Sequence, residues 1–242
     1  MAADLRFWFD PVCPFAWLTS RWVEQVAEQR SYEVEWRFIS LRLINRDVDY
    51  SAQFPPDYEA GHTGGLRLLR VAAAVRDAHG NDAVGRYYTA ISSRIFDAVA
   101  PPVDADGDPR ARPDFVLPAL ADAGLPAALV EFLDDASRDA QLQAETDEAF
   151  ALTGRDVGTP IIQFRPPDGV AFFGPVISRL PAADDAVRLW DHVVGLAEFG
   201  GFAELKRSLR ERPQLRAFGW DPAADDAAVE EDWHGGSRRQ HR

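Results

Sequence analysis

Leu5-Arg6-Phe7-Trp8-Phe9-Asp10-Pro11-Val12-Cys13-Pro14-Phe15-Ala16-Trp17-Leu18 changes character at Asp10-Pro11. Ahead of that dipeptide the run is aromatic and apolar on both sides, the pattern of a central strand buried in a sheet. Behind it, Pro14 precedes Leu18, Trp22 and Val26, which recur every four residues. Val23 and Ala27 lie beside them, and Ser20, Arg21, Glu24, Gln25 and Glu28 lie opposite. That is an amphipathic helix, with proline at its first position, where a missing N–H costs nothing. Cys13 is then the N-cap. Free N–H groups and the positive end of the helix dipole favour thiolate over thiol there, so a depressed pKa is expected. Position alone also allows a small apolar side chain packed under the sheet.

Outward from this stretch, Tyr32, Val34, Trp36 and Phe38 alternate with Glu33, Glu35 and Arg37, the period of a second strand. From Arg42 to Thr153 the pattern is mostly helical. Helices are expected at about 59–79, 82–98, 112–123, 126–134 and 137–152, with Gly80, Gly124 and Gly154 at C-cap positions. Pro160–Phe164 and Val170–Phe173 then flank Pro166-Pro167-Asp168-Gly169 and predict a β-hairpin. A helix from about Ala183 to Phe199 follows, and a shorter one from Phe202 to Arg210. The fold class is α/β: a β-α-β half and a β-β-α half around a helical block. Residues 1–42 and 155–215 are expected to form the core and 43–154 the insertion. Residues 216–242, acidic and poor in core formers, read as a mobile tail.

The 242 residues carry a formal charge of −13 and are 46% apolar, 27% charged and 11% aromatic. A large core follows, and nucleic acid is an unfavourable partner because its recognition draws on a surplus of Lys and Arg. No run has the roughly 18 apolar residues of a membrane span, and the N-terminus has no export signal, so the cytoplasm is the expected location. Cys13 is the only cysteine, which excludes an intrachain disulfide and a cysteine-based zinc site. The histidines lack ligand spacing and no glycine-rich strand-to-helix turn is present. Neither a metal nor a nucleotide cofactor is expected.

Other residues read two ways. His62, in Gly61-His62-Thr63-Gly64-Gly65, could bind an anion or tune a thiolate, or be an ordinary surface histidine. Phe15, Trp17 and Phe173 could wall a flat substrate, or belong to the core. Thr159-Pro160 opens a strand, and its bond is either the common trans or the rarer cis.

The order of strand, Cys-Pro at a helix head, second strand, helical block, Thr-Pro and hairpin resembles the thioredoxin superfamily in its DsbA-like branch. The mycothiol-dependent nitroreductase group is the most similar, through Phe7–Trp17, Thr19-Ser20-Arg21-Trp22, Asp156-Val157-Gly158-Thr159-Pro160 and Val170–Pro175. The resemblance implies a thioredoxin-like mixed sheet with Cys13 as nucleophile and Pro160 as a cis-proline facing it. Thr159 would offer backbone groups to a bound thiol. Read from the residues themselves, Pro14, Phe15, Ala16, Trp17, Phe173 and His62 are the further candidate binding residues. The resemblance also implies mycothiol or another low-molecular-weight thiol as co-substrate, a small electrophile or disulfide as substrate, and a homodimer. Members with a two-cysteine motif carry a resolving cysteine where this chain has Ala16. A monothiol cycle, in which a second small thiol opens a mixed disulfide, is what remains. The chain also resembles the 2-hydroxychromene-2-carboxylate isomerase and kappa-class glutathione transferase branch, in which one Ser or Cys at this helix head stabilises a bound cofactor's thiolate. A non-catalytic thioredoxin-like binding protein is the third expectation.

Overall fold

A computed structural model describes residues 3–99, 107–206, 209–221, 223 and 230–232. The chain opens with β1 (Leu5–Phe9), α1 (Pro14–Ala27) and β2 (Val34–Phe38). Helices α2 (Leu41–Ile44), α3 (Tyr50–Gln53), α4 (Tyr58–His79), α5 (Asn81–Phe96), α6 (Pro113–Asp122) and α7 (Asp139–Thr153) follow. The second half supplies β3 (Ile161–Phe164), β4 (Ala171–Phe173) and α8 (Ala183–Glu198). A short ladder of β5 (Leu209–Glu211) with β6 (Glu230–Asp232) stands apart from the main sheet.

The main sheet has the order β2-β1-β3-β4, with β1 parallel to β2 and antiparallel to β3. This is the thioredoxin-like arrangement, with β1 central as its sequence predicts. Strand alternation divides β1 between two cores. Leu5, Phe7 and Phe9 enter the larger core with Trp22, Phe38 and Tyr88, while Trp8 packs on the opposite face with Ile39, Phe150 and Ile161. Phe9 stacks on Tyr88 of α5 with ring centroids 3.9 Å apart, which ties the helical block to the sheet.

The exposed edge of β2 is satisfied by side chains. Asn81 accepts from the Trp36 N–H and donates to the Trp36 carbonyl, both at 3.0 Å. Buried Glu145 accepts from the Phe38 N–H at 3.0 Å and pairs with Arg76 and Arg37. An edge occupied in this way offers little to a foreign strand.

Three expectations require correction. Residues 126–134 form a 3-10 helix, Ala127–Asp134, rather than an α-helix. Among the described residues of Phe202–Arg210 there is no helix: Phe202 packs on Phe172 at 5.7 Å and residues 209–211 are drawn into the β5 ladder. Of the residues expected in a mobile tail, Arg216–Phe218 form a 3-10 turn whose Phe218 stacks on Phe96, and Glu230–Asp232 pair with β5. Residues 222, 224–229 and 233–242 of the expected tail lie outside the described residues. The helices α2 and α3, capped by Ser40 and Asp49, are too short for periodicity to reveal.

Candidate active site

Cys13 sits where β1 hands over to α1, as its N-cap, with Pro14 at the first helical position. Its backbone is extended (φ −89°, ψ 113°) and its carbonyl accepts the first helical bond from Trp17. The Sγ accepts from the Ala16 N–H at 3.4 Å, so a free donor of the helix end is aimed at sulfur as the sequence predicts. The thiol proton is directed elsewhere: Sγ donates to the carbonyl oxygen of Thr159, also at 3.4 Å. The Thr159–Pro160 bond is cis, and the Thr159 hydroxyl donates to the carbonyl of Trp8. Cys13, Ala16, Thr159 and Pro160 therefore meet at one point, where the head of α1 faces the entry to β3.

The electrostatics reverse one expectation. The thiol is pushed up from 9.0 to about 12 rather than depressed. Burial is the main cause, since only 6% of Cys13 is exposed; the N–H groups of Ala16 and Phe15 oppose it, and the charge of Asp10 reinforces it. Desolvation of a thiolate outweighs one helix end when no water reaches the sulfur. In the structure Cys13 is thus a protonated thiol.

Asp10 is the residue that sequence reasoning missed. It is fully buried, and its carboxylate accepts from the Val12 N–H at 3.1 Å and the Leu41 N–H at 2.8 Å. The carboxyl clamps the Asp10–Cys13 turn, whose Cys13 N–H also bonds the Asp10 carbonyl. Burial raises its pKa from 3.8 to about 7 against those hydrogen bonds and the charge of Arg110. An acid closing a buried strand, three residues before the cysteine, was the available signal. Helix α4 reaches this turn through Gly65, where a Cβ would lie 2.6 Å from Asp10 Oδ1 and 2.7 Å from Val12 Cγ2.

Phe15, two residues after Cys13, and Phe173 line one groove with a cavity volume of about 800 Å³. Trp17 is buried; its indole N–H donates to Asp97 at 3.2 Å, and the Arg21 guanidinium lies 4.1 Å from its ring centre. Pro14 and Ala16 shape the helix head, and Ala16 is fully buried. His62 is not the surface residue of a flexible segment. It lies in α4, buried, with Nδ1 3.0 Å from the Tyr50 hydroxyl and its ring edge-on to Tyr50, Phe54 and Tyr58. Burial, then the charge of Arg42, lowers its pKa to about 4, so it is neutral at pH 7.

The family model described as Rv2466c-like, mycothiol-dependent nitroreductase Rv2466c, matches residues 12–207. The uncharacterized protein Rv2286c of Mycobacterium tuberculosis (strain ATCC 25618 / H37Rv) is 31% identical over 202 residues, covering 83% of this chain and 80% of that protein. Among solved structures, the cytosolic disulfide reductase DsbM from Pseudomonas aeruginosa is 19% identical, with a TM-score of 0.47 over 80% of this chain and 99% of its own. Chlamydia trachomatis DsbA is 12% identical, with a TM-score of 0.47 over 81% of this chain and 90% of its own. With most of its length matched by that model, the chain belongs to the family of Rv2466c-like mycothiol-dependent nitroreductases, a family of thiol-dependent oxidoreductases.

Proposed function

We propose that the protein is a monothiol oxidoreductase that works through Cys13 with mycothiol as its small-thiol partner. The observation that carries this reading is the placement of the single thiol between the Ala16 N–H and the Thr159 carbonyl, beside Pro160. In the first step the Cys13 thiolate attacks one sulfur of a disulfide. A Cys13–S–S–R bond forms, the substrate S–S bond breaks, and the other half leaves as thiolate. In the second step a mycothiol thiolate attacks the sulfur of R, which releases Cys13 as thiolate and R as its mycothiol disulfide. One disulfide is exchanged for another with no net change in electrons. With Ala16 at the position of a resolving cysteine, that second thiol must come from outside the chain.

The protonated, buried state of Cys13 makes site opening the first event of the cycle. Once water or a ligand relieves desolvation, the Ala16 and Phe15 N–H groups remain to favour thiolate. Backbone groups at Thr159 then hold the incoming thiol.

One observation favours a second reading. A Cys13 S–H that acts as a donor is suited to hold the thiolate of a bound cofactor, as an isomerase or transferase of the 2-hydroxychromene-2-carboxylate or kappa type would use it. Cys13→Ser separates the two. Mycothiol-dependent turnover of a mixed disulfide is lost if Cys13 is the nucleophile, and is retained to a substantial degree if the side chain only donates a hydrogen bond.

A further inference from the structure

The groove lined by Phe15, two residues after Cys13, and by Phe173 extends along the segment after β4 to Asp185 and Leu189 of α8. Thr19 Oγ1 donates to the Pro175 carbonyl at 2.8 Å and fixes this wall to α1. Ile177, Leu180 and Leu189 join the two phenylalanines in its apolar lining. Its volume of about 800 Å³ is that of a small-molecule cleft.

The far end is built by residues near the limit of the family match. Glu211 accepts from Ser178 Oγ at 2.9 Å and from Arg179 Nη1 at 2.9 Å, while the Gln214 N–H donates to the Ser178 carbonyl at 2.8 Å. Both acids of the lining are therefore engaged, Glu211 by Arg179 and Asp185 by Arg188. Lys206, the only lysine of the chain, also lines the groove and forms no ion pair among the described residues. The uncommitted charge of this groove is thus positive, on a protein whose formal charge is −13.

We propose that the groove binds the non-thiol substrate, a small amphipathic anion whose apolar body lies against Phe15, Phe173 and Ile177 and whose carboxylate or sulfonate meets Lys206. This rests on the reading of Cys13 as the reacting thiol, because that reading makes the adjoining groove the place of the second substrate. An anion gains from the ammonium what the rest of the surface denies it, and an apolar body gains from leaving water.

Two dyes with one ring system test this on the full chain: 8-anilinonaphthalene-1-sulfonate and its uncharged counterpart N-phenyl-1-naphthylamine, titrated by fluorescence. Wild type binds both, the sulfonate more tightly. Lys206→Ala weakens the sulfonate at least fivefold and changes the neutral dye less than twofold. Leu180→Asp, at a side chain already 45% exposed, weakens both at least threefold without threatening the core. Absence of saturable binding to wild type, or equal affinities across wild type, Lys206→Ala and Leu180→Asp, overturns the proposal. The dyes need no reaction at Cys13, so Cys13→Ser retains both affinities; failure of thiol adduct formation would remove the reading of Cys13 and leave the ligand class of the groove standing.

Discussion

The Cys13 thiol donates to the Thr159 carbonyl oxygen at 3.4 Å, joining two residues 146 positions apart and closing the head of α1 onto the entry of β3. Burial, reinforced by the charge of Asp10, keeps the proton on sulfur, with the pKa pushed up to about 12. Alkylation of the resting protein by iodoacetamide is therefore slow at pH 7, with a rate that climbs with pH and shows no plateau below pH 10. A plateau near neutrality would mean that the resting thiol is already ionised. The sign for stability follows from linkage. Between the ordinary thiol value and about 12 the unfolded chain loses a proton that the folded chain keeps, so stability falls as pH rises through that window.

Asp10 titrates near 7 when folded and near 3.8 when unfolded. Across that interval the folded chain binds the extra proton, so its stability declines with rising pH, by up to about 1.4 kcal/mol per pH unit for one proton. Asp10→Asn removes this slope. It also turns an amide NH2 toward a backbone N–H of Val12 or Leu41, a fixed cost of about 1–3 kcal/mol. Urea unfolding at pH 5 and pH 7 reads both effects: the variant is less stable at pH 5, and its difference between the two pH values is smaller than that of wild type. An unchanged difference would show that Asp10 is ionised throughout.

Gly65→Ala places a methyl group 2.6 Å from Asp10 Oδ1 and 2.7 Å from Val12 Cγ2, and neither atom is at the end of a long flexible chain. Either α4 retreats or the Asp10–Cys13 turn shifts. Overpacking of this kind costs about 1–3 kcal/mol. Because Cys13 is the last residue of that turn, its alkylation at pH 8 accelerates several-fold. Loss of stability with an unchanged alkylation rate would separate the α4 contact from the burial of the thiol.

His62 is neutral in the folded chain because burial lowers its pKa to about 4, against 6.5 unfolded. Below pH 6.5 the unfolded state gains a proton that the folded state refuses, so this residue contributes stability that is lost as pH falls toward 4. In NMR titration its ring Cε1–H stays flat from pH 8 to pH 5, whereas an exposed histidine inflects near 6.5. An inflection near 6.5 at His62 would contradict its enclosure by Tyr50, Phe54 and Tyr58.

The parts of the fold visible in the sequence are those with a local signature. Phe7-Trp8-Phe9 marks a central strand because both its faces are apolar. Leu18, Trp22 and Val26 mark α1 by spacing, and Pro166–Gly169 marks the hairpin by turn chemistry. The meeting of Cys13 with Thr159 and Pro160 was legible only through the order of motifs along the chain. What stayed hidden depends on distant packing. Asp10 gains an acceptor role toward Leu41, 31 residues away. The reversal of the Cys13 pKa comes from burial, which an N-cap reading does not count. Phe202–Arg210 has helical spacing, yet contact with Phe172 and the β5 ladder outweighs local propensity.

The central claim is that Cys13 reacts with a small thiol and that this thiol is mycothiol. Intact mass spectrometry after incubation with oxidised mycothiol and, in parallel, oxidised glutathione tests it directly, because one cysteine admits only one adduct. The account predicts a single mixed disulfide on Cys13, formed at least tenfold faster with mycothiol, absent in Cys13→Ser and reversed by free mycothiol. No adduct with either disulfide, under conditions where Cys13 of the unfolded chain reacts fully, would contradict it.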